Sequence, residues 1–321
     1  MAEIETTLEI GVNTSYSCDI NGVEYHPPQY PTAQQFYADL EEYAICLYIA
    51  TSLTVIILGL EYIFLIKNCL PNVPPKRRVA TCWIWSVFLI ASIMSLLGIV
   101  TPKSSDFVWL SYRVYLGLVM TYFVELTISW HGGQKAMVRN LNNKNINMRV
   151  GPCCCIICCC PKQTPFSRKK LQFIKLCVNQ LAYIQTGMIF LLVVLSLSGD
   201  LKIGNMSPND PYLYIAIILI VSFLTGMWGL ITLFEVEATY EFLQVYRYKK
   251  KARMLKIIIL CTNLQGFVLD SLSNYEIIPC AGPMISSKAM GSIIKSILTM
   301  GETLVLGTFM FVNYILYTDH V

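Results

Sequence analysis

The sequence contains few charged residues, and this scarcity already defines its class. Of 321 residues, 14% are charged and 55% are hydrophobic, whereas about 25% of a typical soluble domain is charged. Glycine and proline are present in ordinary numbers, which excludes a collagen-like chain, and the high hydrophobic content excludes disorder. The chain is therefore predicted to be an integral membrane protein.

Residues that support catalysis are also scarce. The only histidines are His26, His131 and His320, all outside the candidate spans, so an intramembrane zinc hydrolase would lack ligands. No Ser/His/Asp set can form within the membrane, and no Gly-Lys-Thr/Ser phosphate loop is present. We expect neither an enzyme nor an ATP-driven pump, and no cofactor. A net charge of +4, with the basic residues confined to short loops, argues against a nucleic-acid partner.

Seven stretches are long and apolar enough to cross a bilayer, which requires about 20 residues. They cover residues 43–66, 79–101, 107–130, 171–198, 211–234, 254–275 and 285–317. All fourteen prolines lie in loops or at span edges, so continuous helices are expected. The predicted fold class is an all-α polytopic membrane protein with seven transmembrane helices.

The distribution of Lys and Arg predicts the orientation. Seventeen of them lie in alternate loops, at 67–78, 131–170 and 236–253. The intervening loops hold only Lys103 and Lys202, and residues 1–42 hold none. Because basic loops stay in the cytosol, the N-terminus is predicted outside and the C-terminus in the cytosol. Residues 1–42 would then be an extracellular segment, 131–170 a cytosolic loop, and 318–321 a short cytosolic tail.

The predicted exterior segment carries two candidate modifications. Asn13-Thr14-Ser15 is a usable glycosylation acceptor, preferred over Asn205 because that asparagine lies in a short loop. Cys18 and Cys280 are both on the exterior side and could form a disulfide. Cys46, near the outer end of the first span, is the competing partner.

Six of the thirteen cysteines stand together in the long cytosolic loop. They are Cys153, Cys154, Cys155, Cys158, Cys159 and Cys160. Juxtamembrane cysteines beside apolar and basic residues favour S-acylation, which would hold the loop against the inner leaflet. A zinc site usually has two separated pairs, and here only Cys155 and Cys158 have suitable spacing. Metal binding and unmodified thiols are the alternatives.

A polar stripe runs along the seventh span. Lys288, Ser292, Lys295, Thr299 and Glu302 recur at steps of four, three, four and three, which places all five on one helical face. Arg113, Gln180 and Gln265 offer complementary polar groups on the third, fourth and sixth spans. Charged residues inside a span face a bundle interior or a wet cavity, so these eight residues are predicted to line a route for an amphipathic organic anion. The alternative is interhelical pairing alone, with Lys295 bound to Glu302 or Asp270.

The sequence lacks the motifs of two well-known classes of membrane protein. The end of the third span is Ile128-Ser129-Trp130-His131 and the seventh span has no proline, so two motifs of rhodopsin-like receptors are missing. Ion-coupled carriers with broken helices have Gly/Pro interruptions in paired halves, and no such pairing is visible. A passive carrier fits better.

The cysteine block, Gly151-Pro152-Cys153 through Pro161, is followed by Ser167-Arg168-Lys169-Lys170-Leu171-Gln172. This combination resembles the alpha subunit of the organic solute transporter. Further matching positions are Gly132-Gly133, Lys135, Ala136, Arg139, Leu141, Leu264-Gln265, Cys280, Pro283, Ser286-Ser287-Lys288 and Glu302-Thr303. The resemblance extends from about residue 40 onward.

The resemblance implies more than spacing can show. Members of this family work with a separate single-span beta subunit. Together they carry bile acids, conjugated steroids and other organic anions in both directions without sodium, at the basolateral plasma membrane of epithelia after assembly in the endoplasmic reticulum. The same function is expected here, with membrane lipids as further partners. The alternatives are a seven-span receptor and a scaffold or trafficking subunit without its own transport path.

Overall fold

The computed structural model describes residues 18–20, 23–25, 28, 30–141, 145–148, 164–198, 201, 207–238, 248–281 and 283–315. The helices are α1 (Ala33–Phe64), α2 (Pro75–Val100), α3 (Ser105–Trp130), α4 (Gln134–Leu141), α5 (Arg168–Ser198), α6 (Pro211–Ala238), α7 (Tyr248–Asn274) and α8 (Ser287–Ile315). Two antiparallel strand pairs accompany them, β1 (Cys18–Ile20) with β2 (Val23–Tyr25), and β3 (Asn145–Ile146) with β4 (Thr164–Pro165).

Seven helices in the described ranges are long and apolar enough to cross a membrane. The prediction of an all-α polytopic fold with seven spans is confirmed. The short α4 is the exception, and it lies in the loop that follows α3. The direction in which the bundle crosses the membrane stays a prediction, and "outer" below means the predicted outer end.

The first helix begins ten residues before the predicted start of the first span. A capping box at Thr32 and Gln35 starts it: the Gln35 amide donates to Thr32 Oγ1, and the Thr32 amide donates to Gln35 Oε1 at 2.9 Å. This arrangement satisfies two amides that would otherwise lack partners. Glu41, with φ of 41° and ψ of −112°, interrupts the helix. The segment before the first predicted span is therefore about two helical turns, residues 33–40, followed by a kink.

Local sequence signals also explain other helix ends. Gly132 and Gly133 have positive φ, and their amides donate to the Ser129 and Ile128 carbonyls, which closes α3 as a Schellman motif. Asp210 accepts a hydrogen bond from the Tyr212 amide at the start of α6. Ser286 does the same for the Ala289 amide at the start of α8. The Ser286 cap fixes where α8, and with it the polar stripe, begins.

Helix α3 lies at the centre of the bundle, packed against α2 on one side and α5 on the other. The approach of α3 to α5 depends on Gly117, where an added Cβ would lie 3.2 Å from backbone atoms of Ala182. Gly229 plays the same role between α6 and α5, since its Cβ would lie 3.0 Å from Val178. Without a hydrophobic drive between helices in lipid, such close contacts hold the bundle together.

Helix α7 is held from one side. It packs along α8 but touches α6 at few positions. Leu264 and Phe267 of α7 are exposed apolar residues, as expected for a lipid-facing surface. The bundle is therefore least tightly closed where α7 meets α6.

Several sequence predictions concern residues outside the described ranges. The acylation candidates at residues 153–160 and the glycosylation candidate Asn13 are among them, as is the side chain of Cys18. Cys280 is disulfide-bonded, whereas Cys46 is a free thiol. The pairing of Cys280 with Cys18 stays a prediction.

Candidate functional site

The polar stripe of α8 is buried or partly buried and makes contacts with α3 and α7. We call the resulting interface the polar seam. Its residues are Asp106, Trp109 and Tyr112 of α3, Gln265 and Asp270 of α7, and Lys288, Ser292, Lys295, Thr299 and Glu302 of α8. Five of these ten side chains belong to the stripe predicted from its spacing. The seam is thus a contact between three helices, in the outer and middle parts of the bundle.

The outer end of the seam is closed by an ion pair. Lys288 Nζ lies 3.7 Å from Asp106 Oδ2 and 5.4 Å from the ring centroid of Tyr30. The Tyr30 hydroxyl donates to Asp106 Oδ1 at 2.8 Å. One turn further in, the hydroxyls of Ser105 and Ser292 are hydrogen-bonded. This end of the seam therefore ties α8 to α3 and to the segment before α1.

Lys295 occupies the middle of the seam. Its side chain is 6% exposed, and its Nζ lies 3.3 Å from Asp270 Oδ1, whose side chain is 50% exposed. The same Nζ lies 4.9 Å from the ring centroid of Trp109, which is within cation–π range. The alternative that Lys295 pairs with Asp270 is what the structure shows, and Glu302 is not its ion-pair partner. The buried cation thus has one half-exposed counterion and one aromatic face.

The inner part of the seam holds polar atoms that lack partners within the described residues. They are Trp109 Nε1, Tyr112 Oη, Thr299 Oγ1, Glu302 Oε2 and Gln265 Oε1. Tyr112 and Glu302 lie within electrostatic range of each other. Leaving a buried polar atom without a hydrogen bond costs about 1–3 kcal/mol, so native proteins keep such atoms few. A concentration of them in one interface points to bound water or to the polar groups of a ligand.

Arg113 differs from the two lysines. It is half-buried on α3 and makes no hydrogen bond or ion pair with the described part of the chain. It lies within electrostatic range of Tyr212 of α6, as do Asp106 and Asp270. Of the three cations predicted to attract an anion, two are therefore paired with aspartates and one keeps its donors available.

Gln180 is not brought to the seam. Its Nε2 donates to the Ser222 carbonyl at 2.9 Å, and its Oε1 accepts from the Ser222 hydroxyl at 3.0 Å. Both ends of the amide are thus engaged between α5 and α6. The structure gives Gln180 a place in helix packing, whereas Gln265 Oε1 is buried on α7 without a hydrogen-bond partner among the described residues.

Three seam residues were not singled out from the sequence. Asp106, Trp109 and Tyr112 are spaced by three residues, which places them on one face of α3. An acidic residue at the start of a span and two amphipathic aromatics after it were available as a signal. The pattern was masked by the abundance of aromatic residues, 12% of the chain.

A second polar group lies deeper, toward the predicted cytosolic side. Thr308 donates to Glu61 Oε1 at 2.9 Å, beside a cavity of about 20 Å³ lined by α1, α2 and α8. Such a volume holds about one water molecule. The cavity is too small for a steroid-sized ligand.

The chain is similar in sequence to proteins of one family. The sequence model of a family described as "Organic solute transporter Ostalpha" matches residues 45–319. The chain is 27% identical over 306 residues to the organic solute transporter subunit alpha of Mus musculus, covering 94% of this chain and 86% of that protein. It is 27% identical to the Homo sapiens protein of the same name, covering 86% and 80%. It is 25% identical to the Danio rerio protein, covering 75% and 74%. No solved structure matches the chain.

Proposed function

Because the chain belongs to the organic solute transporter Ostalpha family, we propose that it is the alpha subunit of a heteromeric facilitative carrier for amphipathic organic anions. The family is one of solute transporter subunits and not of enzymes. The substrates in view are bile acids and conjugated steroids. The solute moves in either direction, down its own gradient and without sodium.

The observation that carries the proposal is the polar seam itself. Lys295 places a positive charge inside the bundle, with its side chain 6% exposed and an aromatic face at 4.9 Å. A conjugated steroid has the complementary parts, an anionic group and a rigid apolar body. Burying an ion inside a bundle requires a counter-charge, so a membrane site of this kind favours an anion over a neutral sterol.

The loose contact between α6 and α7 supports a route to the seam from the side. Asp270 of α7, whose side chain is half-exposed, and Arg113 of α3 are both within electrostatic range of Tyr212 of α6. An amphipathic anion would enter between these helices with its charged end directed to Arg113 and Lys295. Its apolar body would remain against lipid and aromatic side chains.

A membrane partner follows from the subunit role, and we propose that it is a single-span beta subunit. The two chains would assemble in the endoplasmic reticulum and act at the plasma membrane, at the basolateral side in epithelia. Long exposed apolar faces on α1 and α7 give such a partner room to pack, alongside lipid.

Reconstitution tests the function directly. Proteoliposomes that contain this chain and its single-span partner should release preloaded estrone 3-sulfate down its gradient, at the same rate with and without sodium. Each chain alone is the matched control. Release by the partner alone would mean that this chain is a scaffold. Absence of release from the pair, with ligand-dependent signalling in cells, would mean a receptor.

The cysteine block gives a separate prediction. We expect fatty acylation at residues 153–160, because the sequence predicts a juxtamembrane position for these cysteines, beside apolar and basic residues. Labelling with an alkyne fatty acid should be removed by hydroxylamine and lost when all six cysteines become serine. The control is a Cys177→Ser, Cys261→Ser variant, whose thiols lie within the predicted spans at 171–198 and 254–275 and should not contribute. A stoichiometric zinc content in the purified protein would contradict acylation and favour the metal alternative.

A further inference from the structure

We propose that Asp270 is a built-in competitor of the substrate: the anion enters the seam by replacing the Asp270 carboxylate beside Lys295. The inference rests on the proposed function and adds to it. It assigns Asp270 as a residue that sets affinity and charge selectivity. Transport would then proceed by exchange of one counter-anion for another, and Lys295 would not lose its negative partner at any stage.

The two members of the Lys295–Asp270 pair differ in exposure. The Lys295 side chain is 6% exposed, whereas that of Asp270 is 50% exposed. An isolated cation inside a bundle is unfavourable by several kcal/mol, so Lys295 needs a negative partner at all times. Asp270 does not depend on Lys295 in the same way, because half of its side chain is already outside the packed interior.

The contact between Lys295 and Asp270 is weak. A single Asp270 oxygen lies 3.3 Å from Lys295 Nζ, while strong ammonium–carboxylate hydrogen bonds are about 2.7–2.9 Å long. The cation–π contact with Trp109 at 4.9 Å does not involve Asp270. It would therefore persist while the carboxylate is replaced.

Asp270 lies on α7, the least restrained helix of the bundle. Helix α7 packs against α8 and barely touches α6, and segments with few packing contacts open most easily. The side of α7 that faces Lys295 carries no side chain at Gly266, where an added Cβ would lie 3.7 Å from Lys295 Cδ. A small displacement of α7 is enough to separate the carboxylate from the ammonium group.

The other ion pair of the seam, Lys288 with Asp106, is held more firmly. Asp106 is held by Lys288 and also accepts a hydrogen bond from Tyr30 at 2.8 Å. Its side chain is 23% exposed, about half as exposed as that of Asp270. Asp106 is therefore anchored by two groups, and Asp270 is the carboxylate that can leave.

Exchange predicts a distinctive kinetic result. Asp270→Asn removes the competitor and leaves Lys295 without its counter-anion. We expect the KM for estrone 3-sulfate to fall at least threefold, while Vmax per surface molecule stays the same or falls, because the bound anion leaves more slowly. A purely structural role for Asp270 would lower Vmax and surface level without improving KM.

The control is Glu276→Gln. Glu276 is an exposed acidic residue just beyond the end of α7, so the variant removes the same charge from the same end of the helix. Its KM should equal that of the wild type. If Asp270→Asn reaches the surface and its KM is unchanged or higher, exchange is overturned. If Glu276→Gln lowers KM equally, the effect is general surface charge and the proposal fails as well.

A second measurement covers the case in which Asp270→Asn does not reach the surface. The variant is extracted in detergent together with its partner, and thermal unfolding is followed with increasing estrone 3-sulfate. The proposal expects half-maximal stabilisation at a concentration at least threefold below that of the wild type, and no stabilisation would overturn it. These outcomes are separable from the proposed function. A wild-type complex that transports nothing contradicts the function, whereas normal wild-type transport with an unaltered Asp270→Asn contradicts exchange alone.

Discussion

Replacing Lys295 by alanine should reduce the transport efficiency for estrone 3-sulfate by roughly tenfold to a hundredfold. A hydrogen bond to a charged group contributes about 1.5–3 kcal/mol, and each 1.4 kcal/mol corresponds to about tenfold. The loss should fall on the anion and not on folding, because the Asp270 side chain left behind is half-exposed and can be hydrated. Uptake in cells expressing both subunits, normalised to surface protein, measures the effect.

Two further variants show whether the charge or the packing of Lys295 matters. Lys295→Arg keeps the cation beside Trp109 and should retain most of the activity. Lys103→Ala removes an exposed lysine from the same end of the bundle, and its transport should equal that of the wild type. Unchanged uptake in Lys295→Ala would exclude Lys295 from the route, and equal losses in Lys295→Ala and Lys103→Ala would reduce its role to general surface charge.

The second large effect concerns assembly of the bundle. Gly117→Val should separate α3 from α5, because a Cβ at residue 117 already lies 3.2 Å from the Cα and amide nitrogen of Ala182. Backbone atoms cannot rotate away as a side chain can. Overpacking of this kind typically destabilises a protein by about 1–3 kcal/mol. We expect a lower unfolding temperature of the purified chain in detergent and a reduced surface level in cells.

Gly187→Val is the matched control for this prediction. Gly187 lies on α5, and an added Cβ there has no neighbour within 4 Å. The same side chain is thus introduced into the same helix pair, but on the face that points away from α3. Its unfolding temperature should stay close to that of the wild type. A stable Gly117→Val protein would show that the two helices can move apart without loss.

The sequence was sufficient to predict the spans because a helix in lipid must satisfy every backbone group internally. This requirement leaves a long apolar run for each helix, and all seven predicted runs became helices. The helix ends were less predictable. The start of α1 depends on the Thr32–Gln35 capping box, which was readable in the sequence, whereas the kink at Glu41 depends on backbone torsions that no local pattern specified.

The candidate site was predicted in part. The spacing of Lys288, Ser292, Lys295, Thr299 and Glu302 in the sequence was enough to place them on one face of α8. In an α-helix, the spacing between two residues determines whether their side chains point to the same side. Which helices that face would meet was not predictable in the same way. Gln180, like Gln265, is a glutamine inside a predicted span. Its amide is nevertheless engaged with Ser222 between α5 and α6.

By itself the sequence determined the class of the protein, the number of its spans and the helical face on which its buried charges stand. These follow from local properties, since hydropathy and helical period depend only on neighbouring residues. Only the tertiary structure decided that Lys295 meets Asp270 and Trp109, that Lys288 meets Asp106, and that α7 is the loosely held helix. Those contacts join residues 25 to more than 180 positions apart along the chain, and they depend on where glycines such as Gly117 let the helices approach.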